Sequence, residues 1–345
     1  MNDDLKYNPD LLLDVNQNVT KKKKEWVSID LRKKELKPKI VERVERTKKP
    51  WVSIDLKKSK SDFIKNRKRK PPWLKVKLPT GDAYKKVRSI TSENKLHTIC
   101  ESGNCPNMGE CWGEGTATFM ILGNICTRSC GFCNVKTGKP LPVDWTEPIK
   151  VANSIKLMGV KHAVITSVDR DELEDGGASF WVETINQIRK ISPGTTMETL
   201  IPDFKGVDRH IKMIVDVAPE VVSHNLETVR SLTKKVRIQA KYDRSLHTLK
   251  VLHDGGMKTK SGVMLGLGET EEEIIETMND LRKVGVSILT LGQYLQPTFR
   301  HLPVCEFVKP EKFSRLKEVG IELGFRHVES GPLVRSSYHA ARHIH

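Results

Sequence analysis

Three cysteines within eight residues constrain what this chain can become more than any other feature. They occupy the loop Cys126-Thr-Arg-Ser-Cys130-Gly-Phe-Cys133, directly after the apolar run Thr116-Ala-Thr-Phe-Met-Ile-Leu-Gly123. A strand feeding a tight loop of thiolates suits a cubane iron–sulfur cluster, which takes cysteine ligands from closely spaced positions. Three ligands for four irons leave one iron without a protein donor, open to a small chelating molecule. Zinc and disulfides are the alternatives. Structural zinc sites show paired C-x2-C spacing and need four donors, and disulfide frameworks belong to small secreted chains. The unequal x3 and x2 spacing fits neither well.

A second cysteine group precedes the first. Cys100-Glu-Ser-Gly-Asn-Cys105-Pro-Asn-Met-Gly-Glu-Cys111 is a C-x4-C-x5-C run. Gly103, Pro106 and Gly109 supply the turn chemistry that lets the backbone fold back and gather three sulfurs. Six of the seven cysteines thus fall into two sets of three. That usage predicts metal ligands in a reducing cytosol and two clusters, each lacking a fourth cysteine. The expected localisation is cytoplasmic. The opening Met-Asn-Asp-Asp argues against a signal or transit peptide, and no apolar run approaches the ~20 residues of a membrane span.

The 345 residues carry a formal charge of +16, and its location matters more than its size. Residues 1–70 hold 22 Lys and Arg against 11 acids, while the other 275 are nearly balanced, 37 against 32. The basicity therefore describes an arm, not a fold. Lys21–Lys24, Arg32–Lys34, Lys48-Lys49 and Arg67–Lys70 punctuate this arm, and Trp26-Val-Ser-Ile-Asp-Leu31 recurs verbatim as Trp51-Val-Ser-Ile-Asp-Leu56. Two copies cannot build a solenoid. Docking motifs or tethers to nucleic acid are conceivable, but a duplicated, mostly disordered linker accounts for the composition. Neither a membrane nor nucleic acid is expected as a partner. Pro71-Pro72-Trp73 marks the boundary, giving a basic arm over 1–70, an extension with the first cysteine group over 71–115, a barrel over 116–330 and a terminal segment over 331–345.

From Leu74 onward the composition normalises. Lys85–His97 reads as a helix ending before the first cysteine group. Strand-like stretches then alternate with amphipathic ones. Strands are expected at 163–168, 196–201, 221–225, 259–265, 288–294 and 325–328, and helices at 147–158, 180–191, 245–253 and 270–284. Thr270 with Glu273 fits a capping box, and Glu271 to Glu273 suit the positive end of that helix dipole. Alternating β and α predicts a parallel sheet with helices outside. The fold class is α/β, a partial TIM-type (β/α)6 barrel with its site at the C-terminal mouth and with both extensions covering that mouth.

The Cys126–Cys133 spacing, with Phe132 before the last cysteine, resembles the radical S-adenosylmethionine (SAM) signature, in which SAM chelates the open iron. The wider text resembles the lipoyl synthase family from about Pro72 to Arg342. C-x4-C-x5-C ahead of C-x3-C-x2-C is that family's own arrangement. Ser167-Val-Asp-Arg-Asp-Glu-Leu-Glu-Asp-Gly-Gly177, His224-Asn-Leu-Glu-Thr228, Gly292-Gln-Tyr-Leu-Gln-Pro297 and Gly331-Pro-Leu-Val-Arg-Ser-Ser-Tyr-His-Ala340 also match it. The resemblance implies two [4Fe-4S] clusters and SAM as cofactors. Cys126, Cys130 and Cys133 would hold the cluster that cleaves SAM reductively, releasing a 5′-deoxyadenosyl radical. Cys100, Cys105 and Cys111 would hold an auxiliary cluster that supplies sulfur, with Ser337, in preference to Ser336, as fourth ligand. A serine capping a C-terminal helix is the competing role.

The substrate so implied is an octanoyl chain on a lysine of a lipoyl carrier domain, sulfurated at C6 and C8 with one SAM consumed per C–H bond. Implied partners are octanoylated lipoyl domains of 2-oxoacid dehydrogenase E2 subunits, the glycine cleavage H protein, a small electron-transfer protein and an Fe–S cluster carrier. Gly262-x-Met264-x-Gly266-x-x-Glu269 resembles a superfamily element lying along the adenine, and a glycine-rich strand end would look the same. Asp169 and Arg170 are candidates to grip SAM or substrate, and Asn225 and Glu227 follow a strand end, where barrel sites recruit polar groups. His224 and His301 read as structural, and Cys305 as a buried filler. Gly131, Asn134 and Thr298-Phe299 depart from the usual family text. A strand over 116–123 would span roughly 25 Å, so the first cysteine group must wrap back to reach the mouth. The rival readings are another radical SAM sulfur-inserting enzyme and a non-catalytic Fe–S or zinc protein that binds nucleic acid.

Overall fold

The computed structural model describes residues 69–76 and 81–344. Both Trp-Val-Ser-Ile-Asp-Leu copies and the basic runs from Lys21 to Lys49 lie outside the described residues. The chain enters through helix α1 (Asp82–Glu93), strand β1 (His97–Thr98) and the short helices α2 (Ile99–Ser102) and α3 (Met108–Gly113). Strand β2 (Thr118–Ile121) follows, then the paired strands β3 (Ile125–Cys126) and β4 (Lys136–Thr137) and helix α4 (Glu147–Met158). Next come β5 (His162–Ser167), α5 (Ala178–Ile191), β6 (Thr196–Leu200), α6 (Asp208–Val217), β7 (Val221–Ser223), α7 (Arg230–Val236) and α8 (Tyr242–Asp254). The last elements are β8 (Thr259–Leu265), α9 (Glu271–Lys283), β9 (Ile288–Gln293), α10 (Pro310–Glu322), β10 (His327–Gly331) and a 3-10 turn at Ala340–His343.

One sheet organises these elements in the order β1-β2-β5-β6-β7-β8-β9-β10. All neighbours are parallel except β1 on β2. Among the described residues no pairing joins β10 back to the β1–β2 edge, so the barrel is partial. The helices lie outside, because each presents one apolar stripe that only the sheet can cover. Val151, Ala152 and Ile155 of α4 and Phe180, Trp181, Ile185 and Ile188 of α5 are buried in one core cluster with Ile165 and Met197. Ile274, Met278 and Leu281 of α9 and Phe313 and Leu316 of α10 fill a second with Leu289 and Leu291. Each such Val, Ile, Leu, Met or Phe side chain stabilises by roughly 1.5–3 kcal/mol on full burial.

The strand period of two sends alternate residues inward. Thr118 and Met120, Val164 and Thr166, Glu198 and Leu200, and Gly262 and Met264 all face the same interior cavity. Local signals agree with the observed ends. Helix α4 has Pro148 in its first turn and Gly159 at φ 67° after its last residue, the usual placement of both. The capping box of Thr270 and Glu273 is present. The first helix departs from expectation, starting and ending earlier than Lys85–His97. Gly81 at φ 107° sets its start, and Asn94 caps it with an amide N–H to the Ile90 carbonyl (2.9 Å). His97 instead pairs with Met120 in the sheet.

Candidate active site

Strand β2 is only four residues long, and its end shapes the first cysteine loop. Leu122 follows at φ 67°, a left-handed conformation that costs a non-glycine residue about 1 kcal/mol. Its N–H donates to Glu147 Oε2 (2.8 Å) and its carbonyl accepts from Arg170 Nη1 (2.9 Å). Burial pushes the Glu147 carboxyl up to about 7. Arg170 also donates to the Leu141 carbonyl (2.8 Å) and pairs with Glu172. Arg170 thus braces the approach to the loop, and its side chain is not part of the cavity wall.

The loop itself is held from several sides. Arg128, between the first two cysteines, is buried and contacts Asp169 (3.2 Å), Asp171 (2.7 Å) and Asp203 (2.7 Å). Asp203 also pairs with Arg244 at 2.7 Å. Although burial alone would raise it, these cations hold the Asp203 carboxyl well below the usual range. The Gly131 N–H donates to the Val236 carbonyl (2.9 Å), and the Leu302 N–H to the Gly131 carbonyl (3.0 Å). His301 Nε2 lies 2.9 Å from the Cys133 carbonyl. His224 is likewise structural, bridging the Ile201 carbonyl and Ser245 Oγ at 2.9 Å each, whereas Cys305 is exposed and not the buried filler expected, its Sγ donating to the Leu267 carbonyl at 3.2 Å.

The Cys100 group folds around a small core of its own. Thr98 caps α2 by accepting the Glu101 N–H, and the Cys105 N–H returns to the Cys100 carbonyl at 2.9 Å. Trp112, fully buried, packs with Val87 and against Tyr84. The terminal segment is then tied to this group. The Asn107 amide donates to the Leu333 carbonyl (2.7 Å), and the Tyr338 hydroxyl donates to Glu110 (3.0 Å). Asn225 Nδ2 donates to Ser336 Oγ at 2.6 Å. A Cβ on Gly292 would sit 2.1 Å from the Val334 carbonyl oxygen, so only glycine at the end of β9 lets this segment lie so close.

These elements enclose a cavity of about 620 Å³ at the C-terminal mouth of the barrel. Cys126, Cys130 and Cys133 line it, together with Cys105, Ser336 and Ser337. Phe132, Asp169, Asn225, Glu227 and Gly262 share the wall, while Cys100, Cys111, Gly266 and Glu269 are not part of it. Glu269 instead accepts the N–H groups of Gly266 (2.5 Å) and Leu267 (2.9 Å), fixing the turn after β8. The short β2 removes the difficulty of length. The first cysteine group wraps back through α2 and α3 and brings Cys105 to the space that the Cys126 set lines.

The thiols behave as a gathered donor set. Burial first, and neighbouring Cys100 and Cys105 next, push Cys111 up to about 12. Cys126 and Cys130 rise to about 12 and Cys133 to about 11, burial again leading. Crowded, desolvated thiols of this kind become thiolates when a cationic centre supplies the opposite charge. Among the described residues no three His, Cys, Asp or Glu side chains converge on a single ion position. Thiolates serving a cubane bind separate irons and need no such convergence. Asn225 Oδ1, buried without a partner among the described residues, offers an acceptor on the same wall. Glu227, at φ 65°, is kept toward its neutral form by burial and receives the Asn225 amide at 2.9 Å. Arg237 gives no motif in the sequence, yet it is buried on the cavity wall beside Cys130. Arg335, also on the wall, faces Cys105 and Glu227.

Comparison with known proteins agrees with this geometry. Residues 120–281 match the Radical SAM superfamily, and residues 35–105 match the N-terminal domain of lipoyl synthase of that family. Lipoyl synthase from Flavobacterium johnsoniae is 67% identical over 276 residues, 80% of this chain and 96% of that one. Mitochondrial lipoyl synthase from Nematostella vectensis is 65% identical over 280 residues, 81% and 96% of the two chains. Treponema denticola lipoyl synthase is 55% identical over 285 residues, covering 83% and 98%. The chain belongs to the lipoyl synthase family. The lipoyl synthase match starts at residue 35, inside the basic segment, and carries Cys100 and Cys105. The superfamily match carries Cys126, Cys130 and Cys133. Among the described residues no helix is long and apolar enough to cross a membrane.

Proposed function

We propose that this member of the lipoyl synthase family sulfurates C6 and C8 of an octanoyl chain held on a lysine of a lipoyl carrier domain. The carrying observation is convergence, since Cys105, the three thiols Cys126, Cys130 and Cys133, and Ser336 and Ser337 line one cavity. Cys126, Cys130 and Cys133 would hold one [4Fe-4S] cluster, leaving an iron for SAM. Cys100, Cys105 and Cys111 would hold the other with Ser337. Bound there, these groups supply hydrogen abstraction from unactivated C–H bonds and inorganic sulfur, which no side chain can offer.

The chain's own residues bind, orient and enclose. Met120, Val164, Leu200 and Val334 give the cavity an apolar wall for an eight-carbon chain, worth about 0.8 kcal/mol per buried methylene. Asn225 and Glu227 offer polar contacts to SAM, and Gly262 leaves room beside them. Arg237 and Arg335 put fixed positive charge next to the thiolates. Asn225 already engages Ser336 Oγ, which supports Ser337 as the fourth ligand. A lysine-borne substrate implies folded carriers, here lipoyl domains of E2 subunits and the glycine cleavage H protein. An electron-transfer protein and an Fe–S cluster carrier complete the partners, and six cysteines grouped as metal ligands support a reducing compartment such as the cytoplasm. The test is mass spectrometry of an octanoylated lipoyl domain after anaerobic incubation with SAM and reductant. A gain of two sulfurs with loss of two hydrogens is expected. An unchanged octanoyl domain, with both clusters loaded, would exclude the reading.

A further inference from the structure

The mouth of the barrel does not absorb every buried polar group. Beneath it, Lys260 of β8 and Glu198 of β6 form an ion pair with both side chains fully buried, Nζ to Oε1 2.8 Å and to Oε2 2.9 Å. Ser223 of β7 donates to the same carboxylate at 3.0 Å. The third member comes from the far end of the chain. His343, also fully buried, presents Nδ1 to Lys260 Nζ at 3.3 Å. An ammonium only donates, so Nδ1 accepts and the ring proton sits on Nε2. That N–H has no hydrogen-bond partner among the described residues, with Glu329 of β10 at 3.9 Å. Lys258 closes the arrangement by donating to the carbonyls of His343 (3.3 Å) and Ile344.

These contacts come from β6, β8 and β10, and the 3-10 turn also touches β5. The last turn therefore lies within the open barrel, below the cavity that Ser336 and Ser337 line. Five residues separate Ser337 from His343, and both ends of the stretch are fastened. Above, Asn107, Asn225 and Glu110 hold Leu333, Ser336 and Tyr338. Below, Lys258, Lys260 and Glu198 hold His343. Burying a charged pair costs several kcal/mol per ion unless its remaining valences are satisfied, and the imidazole supplies one of them. The pair and the tail thus depend on each other.

We infer that His343 is a positioning residue, the lower anchor of a terminal plug that closes the barrel base and holds Ser336 and Ser337 at the mouth. What the serines do there rests on the function proposed above, but the anchoring does not. The test is hydrogen–deuterium exchange, read by mass spectrometry, on the full chain with both clusters reconstituted. His343→Leu should speed exchange in peptides spanning residues 331–344 by tenfold or more while β5, β6 and β9 keep their protection. His343→Gln, whose side-chain carbonyl can still accept from Lys260, should restore most of it. Unchanged protection over 331–344 in His343→Leu would overturn the inference, because the upper contacts would then suffice. Should His343→Leu fail to fold, Lys258→Ala reads the same anchor more gently, with faster exchange expected over 339–344 and unchanged exchange overturning it. Mössbauer spectra of the same samples separate the two readings. Faster exchange with an unaltered auxiliary-cluster spectrum would uphold the plug while removing serine ligation.

Discussion

Leu122 shows how one unfavourable backbone angle is tolerated beside a reactive loop. Its left-handed φ of 67° is fixed by Glu147 on one side and Arg170 on the other. Burial raises the Glu147 carboxyl to about 7 from an ordinary 4.5. The folded chain therefore binds more protons than the unfolded one between those values, and this group's contribution to stability falls as pH rises from 4.5 through 7. Glu147→Gln removes the titration and keeps an acceptor for Leu122. The stability of the native chain relative to this variant should drop by about 1–3 kcal/mol from pH 5 to pH 8, measured by urea unfolding. Parallel pH profiles would show the carboxyl titrating normally. Gly262 is constrained differently. A Cβ there would lie 2.6 Å from Thr290 Oγ1 and 3.0 Å from Asn225 Oδ1. Gly262→Ala should keep the fold at an overpacking cost of about 1–3 kcal/mol and displace Asn225. The expected readout is SAM binding weakened about tenfold in equilibrium dialysis, and an unchanged Kd would remove this wall from the SAM site.

Among the elements, the turn after β6 decides whether the Cys126 loop is rigid. Phe204, Lys205 and Gly206 are consecutive left-handed residues, at φ 43°, 57° and 73°. They present Asp203, fully buried, to Arg128 and Arg244 together. Arg128→Met leaves three carboxylates facing an apolar side chain, a loss of about 3 kcal/mol or more for a broken buried pair. The loop should then fail to load, and reconstituted protein should hold about four irons per chain in place of about eight. Full loading would show that the loop is preformed without its hub. The sequence displays only part of this. Arg128 lies inside the motif, but Asp203 and Arg244 meet it only through the fold. Most parallel strands were legible because burial on both faces makes them largely apolar or small-residue runs, with buried Glu198 and Lys260 interrupting β6 and β8. The helix over 147–158 was legible from its stripe. The first helix and β2 were not, since their ends depend on Gly81, on Leu122 and on His97 joining the sheet edge. Arg237, at the end of α7, carries no local pattern at all.

At the scale of the whole molecule, two extensions distant in sequence share one boundary of the barrel mouth. The early one brings Cys105, the late one Ser336 and Ser337, and Asn107–Leu333 and Tyr338–Glu110 join them. No single element could create this arrangement, because the barrel supplies only the Cys126 set. A serine oxygen in this position has a physical consequence. As the proposed fourth ligand it would be a harder donor than a thiolate and less suited to iron in a sulfide cluster, and would hold one iron weakly in a cluster that gives up its sulfur. If Ser337 is that ligand, Ser337→Cys would strengthen the bond with little change in volume. The variant should still take up about eight irons per chain and cleave SAM, yet insert sulfur at least tenfold more slowly, with the shortfall in dithiolane product read by mass spectrometry. Normal product formation would mean that donor hardness at residue 337 is irrelevant. Loss of iron uptake would mean instead that the position tolerates no thiolate, and either result would separate the segment's role as a wall of the cavity from its role as a ligand.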